Sequence, residues 1–326
     1  MRMTISILLL GLALVPSSSA FGWGDAGHKI VAAIAFRSLD AAEQNHVVGI
    51  LRHHPRFRDD FANLVPNNIP EEQINDWLVQ HAAVWPDLVR GFKGELKDEF
   101  HRPSWHYINV PLFLVESQRM QLQPTIHVNL HLDPPAQEED AMNVVQTIRF
   151  ARRTLASPQA PAMSKGLMLC WLIHTVGDLH QPLHASALYS KNLFPHNDRG
   201  GNLIKTEQRG DLHAVWDQFP GGKLAFRTVR NEAARLRQEL GQTGHQAALD
   251  LNESTWLDES RLLAETKAYS AEILVQLRDM ERRGLDADTH PLDLSEDYLH
   301  EGGIVAQQRL VQAGFRLGAI LRQIAR

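Results

Sequence analysis

The stretch from Trp171 to Asp217 constrains this chain most. It reads WLIHTVGDLHQPLHA, then a polar loop ending DRGGN, then DLHAVWD. His174 and Asp178 stand four residues apart on an apolar background of Leu169, Trp171, Leu172, Ile173 and Val176. His213 and Asp217 repeat the offset. On a helix that spacing puts both members of a pair on one face, a turn apart. Pro182 predicts the end of the first helix near His180 or Gln181, so His184 comes from the turn just beyond it. Imidazole nitrogen and carboxylate oxygen suit zinc, which needs three or four ligands converging from different elements. A single HxxxD is ordinarily a buried or capping hydrogen bond. Two of them, with HQPLH between, point to metal.

The first residues have the form of a secretory signal. Arg2 is the positive start, Ile5 to Val15 the apolar run, and Pro16 to Ala20 the polar stretch before cleavage. The run is too short to span a bilayer, and no later stretch reads as a membrane span. Cleavage after Gly22 is the preferred expectation, which makes Trp23 the mature N-terminus; cleavage after Ala20 is the alternative. The protein is thus expected to be secreted or periplasmic. Cys170 is its only cysteine, so no internal disulfide can form. It lies in the apolar run before His174 and reads as a small core residue.

Loss of residues 1–22 removes one charge, that of Arg2, so the net charge moves from −5 to −6. A negative chain attracts nucleic acid poorly, so affinity for phosphate has to be local and borne by bound cations.

Helical periodicity dominates the remainder. It predicts a helix from Ile30 to Leu39 and another opened by the capping box Asp40-Ala-Ala-Glu43, with His53 and His54 solvated at its end. Residues 55–69 read as loop. Pro70 opens a further helix carrying Ile74, Trp77, Leu78, His81 and Trp85. Ser104 to Val110 is a short β-prone run, and His127, Asn129 and His131 alternate as an exposed strand would. Further helices are expected over 136–156, 161–180, 223–240, 254–277 and 303–325. No repeat or linker interrupts them. The expected fold class is mainly α: a single helical domain over 23–326, with little β structure, packed around metal.

Three upstream residues join the constellation: His28 in WGDAGH, Asp87 in AVWPDLVR and His106 in WHYIN. Taken with HxxGDxHQPLH, GGN and LHxxWD, in this order, the chain resembles the zinc-dependent S1/P1 nucleases, and AGFRLGAIL resembles their last helix. The resemblance implies a trinuclear zinc cluster at the base of a cleft. One zinc would be held by Asp87, His106, His174 and Asp178. A second would take the α-amino nitrogen and carbonyl oxygen of Trp23, with His28 and the bridging Asp178. A third would take His184, His213 and Asp217. The Trp23 contact needs a free amine at that residue.

The same resemblance implies a secreted endonuclease that cleaves single-stranded DNA and RNA to 5′-phosphorylated products, with 3′-nucleotidase activity. Hydroxide between the close zinc pair is the implied nucleophile. Arg90 would neutralise phosphate charge, Tyr107 would stack a base and Asn202 would bond one or order its loop. Asn109 stands where fungal members carry an aspartate. An amide can orient water but cannot act as a base, so pH optimum and activity are expected to differ. The loop from Ala185 to Asp211 is longer than in fungal members. A monomer is expected, with no protein partner and no stable membrane association. The alternatives are a zinc phospholipase C-like phosphodiesterase, whose family completes the third site with His-xxx-Glu, and a non-enzymatic periplasmic zinc-binding protein. The remaining histidines, His46, His81, His101, His180, His196, His245, His290 and His300, read as supporting or surface residues.

Overall fold

The computed structural model describes residues 23–326, so the expected signal segment and its cleavage points lie outside the described residues. Helices of seven residues or more are labelled in chain order: α1 Asp25–Phe36, α2 Ala41–Leu51, α3 Ile74–Ala82, α4 Val144–Ala156, α5 Ala162–Leu179, α6 Leu212–Gln218, α7 Phe226–Ala247, α8 Glu253–Leu263, α9 Ala271–Arg283 and α10 Glu296–Ile324. Among the described residues the only sheet is a parallel pair. Its strands, β1 Val110–Phe113 and β2 Ser186–Tyr189, run in register from Val110↔Ser186 to Phe113↔Tyr189. The chain is one mainly helical domain.

α5 is the axis. Every residue from Met168 to Leu179 is buried, as a helix apolar on all sides must be. α1, α2, α3, α4, α8 and α10 all pack on it, while α7 joins α1 and α10. Its apolar residues belong to the larger of two main cores. The second core gathers Leu212, Val215 and Trp216 of α6 with Tyr269, Ile273 and Leu277. His174 and Asp178 therefore come from one core and His213 and Asp217 from the other. The site lies where the two meet. No helix is long and apolar enough to cross a membrane among the described residues.

Several expectations shift for local reasons. The Asp40/Glu43 capping box forms, with Glu43 N–H donating to Asp40 Oδ1 at 2.9 Å and Asp40 N–H to Glu43 Oε2 at 3.0 Å. α4 starts at Val144 rather than near Ala136, because Asn143 and Gln146 make a second reciprocal box. The Asn143 amide also donates to the carbonyls of Asn129 and His131, and Gln146 to that of Asp133. These bonds hold residues 129–133 in place of a β ladder, so the alternating histidines form no strand.

The β-prone run is corrected likewise. Pro103–His106 is a 3₁₀ turn, anchored by Ser104 Oγ on Asp140 O and Trp105 Nε1 on Glu139 O, and the strand begins where the run ends. The expected helix over 254–277 is broken by a π turn, Ala264–Ala268, before Ser270 caps α9. Short helical turns at Phe57–Asp60 and Ala62–Leu64 interrupt the expected loop. His54 is 3% exposed, not solvated, with its ring edge-on to Trp85 and Phe61. Cys170 is buried in the core, and burial pushes its thiol well up.

Candidate metal centre

α5 presents His174 and Asp178 on one face, as the spacing predicts. His174 Nδ1 donates to Ala83 O at 2.7 Å, which leaves Nε2 to face Asp178 Oδ2 at 3.1 Å, His106 Nδ1 at 2.9 Å and Asp87 Oδ1 at 3.8 Å. His106 arrives from the 3₁₀ turn, with Nδ1 3.1 Å from the same Asp178 oxygen. His28, from the first turns of α1, stacks on His174 with ring centroids 3.9 Å apart and points Nε2 at Asp178 Oδ1, 3.4 Å away. Gly177 makes room for it: a Cβ there would lie 2.9 Å from His28 Nδ1. Trp23 is wholly buried beside this glycine, and Gly24 N–H donates to Asp217 O at 2.9 Å, tying the start of the domain to α6.

The cluster is not closed by its own hydrogen bonds. Both ring nitrogens of His28 and the Oδ1 atoms of Asp87 and Asp178 are buried without one, although Arg90 forms an ion pair with that Asp87 oxygen at 2.9 Å. Orphaned buried polar atoms are expensive. The electrostatics of the cluster point the same way. Burial lowers His28 and, with Arg90 nearby, holds His106 at about 4. Burial also opposes charge on His174, yet the Asp178 and Asp87 carboxylates outweigh it and raise that ring. Asp178 is held well below the usual carboxylate range against its burial, chiefly by His174 and His184.

The third set is clearer still. His184, from the turn Pro182–Ala185, directs Nδ1 to His106 O at 2.5 Å. His213 directs Nδ1 to Gly200 O at 2.6 Å. In the neutral tautomers these contacts set, both Nε2 atoms carry lone pairs, yet they face each other at 3.1 Å, with Asp217 Oδ2 3.5 Å from His213 Nε2. Lone pairs aimed together in a buried site fit a shared cation. Burial raises Asp217 well above its ordinary value, and the nearby Asp178 adds to that. Three His/Asp sets satisfy metal-site geometry among the described residues: His28, Asp87, His174; His106, His174, Asp178; and His184, His213, Asp217.

A cleft of ≈ 580 Å³ opens beside this cluster, lined by Arg90, Tyr107, Asn109 and Asn202 and by His106, His184 and His213. Tyr107 is 37% exposed in it. The Asn202 amide donates to Arg199 O at 2.6 Å. Sequence reasoning did not single out Arg199 and Asn197, or place His101 and His196 on the cleft wall. It also passed over Gln181, whose amide donates to Asp217 Oδ1 at 2.8 Å and holds that carboxylate in position. Gln181 was visible inside HQPLH. The others sit in loops whose return to the site no local pattern signals.

This helical domain gathers three His/Asp sets that could hold metal, and His106, His184 and His213 of them reach the cleft. The chain belongs to the S1/P1 nuclease family, whose model, S1/P1 Nuclease, matches residues 23–326. It is 30% identical to endonuclease 4 of Arabidopsis thaliana over 94% of this chain and 90% of that one. It is 26% identical to endonuclease 2 of the same plant, over 95% and 93%. With nuclease S1 of Aspergillus oryzae it shares 23% identity over 98% and 96%.

Proposed function

We propose that this protein is a secreted, zinc-dependent endonuclease that cleaves single-stranded DNA and RNA to 5′-phosphorylated products and removes the phosphate of 3′-nucleotides. The observation that carries the reading is the facing pair of imidazole Nε2 atoms of His184 and His213, which line the cleft, beside the orphaned Asp87–His28–Asp178 cluster. Asp87, His106, His174 and Asp178 would hold one zinc. The free amine and carbonyl of Trp23, with His28 and Asp178, would hold a second, after cleavage behind Gly22. His184, His213 and Asp217 would hold a third. When bound, zinc supplies water acidic enough to attack at neutral pH and takes up negative charge on phosphate oxygen.

The chain's own side chains do the rest. Arg90, already anchored by its ion pair with Asp87, places guanidinium charge beside the cluster, where a phosphate acquires negative charge as it reacts. Tyr107 offers an exposed ring for an unpaired base. Asn202 offers an amide to a base edge. Asn109 orients water without accepting its proton. An aspartate at 217 rather than a glutamate favours nucleic acid over phospholipid as substrate. The protein is expected to act as a monomer.

One sample tests the reading: purified mature protein, its N-terminus sequenced, assayed for zinc content and for hydrolysis of single-stranded DNA. Three zincs per chain, a Trp23 start and cleavage abolished by chelation are expected. Full zinc with hydrolysis of phospholipid and none of DNA or RNA would transfer the chain to the phospholipase reading. Zinc with no turnover of any phosphodiester would make it a binding protein.

A further inference from the structure

The loop between β2 and Asn202 is shaped with unusual backbone. Asn197 and Arg199 have φ of 73° and 56°, and they are the only non-glycine residues with positive φ among the described residues. Side chains rarely adopt that region, and where they do the surroundings must hold them. The holding group lies between them. Asp198 is fully buried, and its Oδ1 accepts from Leu188 N–H at 2.8 Å and Gly200 N–H at 3.1 Å. Its Oδ2 accepts from Gly201 N–H at 2.9 Å and from the Tyr269 hydroxyl at 2.7 Å. Gly200, at φ 59°, is so close to Leu183 that a Cβ would lie 2.4 Å from its carbonyl oxygen. The backbone is therefore clamped from both sides.

What the clamp presents is Arg199. The side chain is exposed and lines the same cleft as Tyr107 and Arg90. Among the described residues its guanidinium has no carboxylate partner, whereas Arg90 is paired with Asp87. A cleft cation without a carboxylate partner among the described residues, held on strained backbone, is built for an anion that arrives.

We propose that Arg199 binds a phosphate of the nucleic-acid strand next to the one being cleaved, so that the enzyme grips oligonucleotides more tightly than mononucleotides. This deepens the nuclease reading and rests on it. The ligand class is a flanking phosphodiester. A 3′-mononucleotide has no such group and gains nothing from Arg199.

The test compares wild-type protein with Arg199→Gln and Arg199→Lys at equal melting temperature and zinc content. Binding of a short fluorescent oligothymidylate whose phosphorothioate linkages keep their charge but resist cutting is measured on the zinc-loaded protein across a salt series. Each phosphate contact to a single strand contributes about −0.7 to the slope of log affinity against log salt. Arg199→Gln should flatten the slope by about that amount, and Arg199→Lys should retain it. On the zinc-loaded enzyme, Arg199→Gln should raise KM for the oligonucleotide on the order of 10-fold, with kcat nearly unchanged. Kinetics on 3′-thymidylate should not move. An unchanged slope and KM, or an equal loss on the mononucleotide, overturns the proposal. A slope that falls in a protein that cleaves nothing upholds Arg199 and removes the nuclease reading instead. Failure of the wild type to bind the oligonucleotide overturns both.

Discussion

Two clusters of buried charge attach to the last turns of α5 and are completed in opposite ways. On one side His174 and Asp178 join His28, Asp87 and His106; four of the five leave a buried oxygen or nitrogen without a hydrogen bond, and ring nitrogens of His174 and His106 face one another at 2.9 Å. On the other side His180, two residues on, is equally buried, yet every contact closes. Its Nδ1 donates to Val176 O, and Arg316 Nη1 donates to its Nε2 at 2.9 Å. Arg316 also grips both oxygens of Glu259, and Arg309 reaches Glu259, Ser260 and the His180 carbonyl. The cations sit at the helix C-terminus, where its dipole favours them. Burial together with Arg309 and Arg316 pushes His180 well below its ordinary value, so it is a neutral acceptor. A satisfied buried network is architecture. An unsatisfied one is a place for a ligand.

The largest expected effect is a change of sign with metal. Asp217 is raised well above the usual carboxylate range by burial, so its charge opposes folding when no cation is bound. Asp217→Asn keeps the acceptor that Gln181 uses. At neutral pH the chelated variant should melt higher than chelated wild type, while the zinc-loaded variant should lose one metal and on the order of 10²-fold or more in activity. Differential scanning calorimetry with and without chelator reads both signs. A variant that melts lower in both states would show that the third set is held together like the Arg316 network.

That network should show no such reversal. Arg316→Met removes one buried ion, leaves His180 without its donor and leaves Glu259 to Arg309 alone, at a cost of about 2–3 kcal/mol. The loss should be the same in the chelated and zinc-loaded protein, and kcat at a temperature where the variant is folded should be unchanged. Denaturant melts in both metal states check it.

The acid limb separates the clusters more finely. Burial raises the Glu259 carboxyl, but the hydrogen bond from Arg316 and the charge of Arg309 prevail and hold it at about 2 against an ordinary 4.5. A depressed carboxyl contributes stability that is present above its unfolded value and lost as pH falls through the folded one. The window runs from pH 4.5 down to 2. Allowing for a side chain 32% exposed, the contribution is about 2 kcal/mol. Glu259→Gln should therefore lower stability by that amount at neutral pH and flatten this part of the pH curve of the chelated protein.

The difference between the clusters also marks what could be read from the chain. Spacing exposed the metal side, since HxxxD twice and a proline two residues before His184 describe single helix faces and turns. It failed for the network because His180 meets an arginine 136 positions later, and nothing local announces that partner. Helix ends followed the same rule. The Asp40 box was legible, whereas Asn143 with Gln146 was overlooked because the apolar pattern was extended backward through Ala141. The π turn left no periodic trace, yet it ends at the residue before Tyr269, whose hydroxyl reaches the loop that carries Arg199.

Tyr269 joins the two kinds of cluster and should give the smallest effect. Asp198 accepts four hydrogen bonds, as completely satisfied as anything near Arg316, but what it satisfies is the turn whose Gly200 carbonyl fixes His213. Burial still holds its carboxyl up at about 6, with the Tyr269 hydroxyl working the other way. A raised carboxyl contributes stability that is complete below its unfolded value and lost as pH rises through the folded one, here between 3.8 and about 6. Tyr269→Phe removes one donor from the charged form. It should cost about 1 kcal/mol at neutral pH and move that loss to a higher pH. It should also weaken the third zinc by a factor of about 3–10, with the other two unaffected. Zinc titration against a competing chelator resolves the third site. If stability falls while zinc affinity holds, Asp198 belongs with the architecture. If the third affinity alone drops, a satisfied carboxylate is shaping an unsatisfied site.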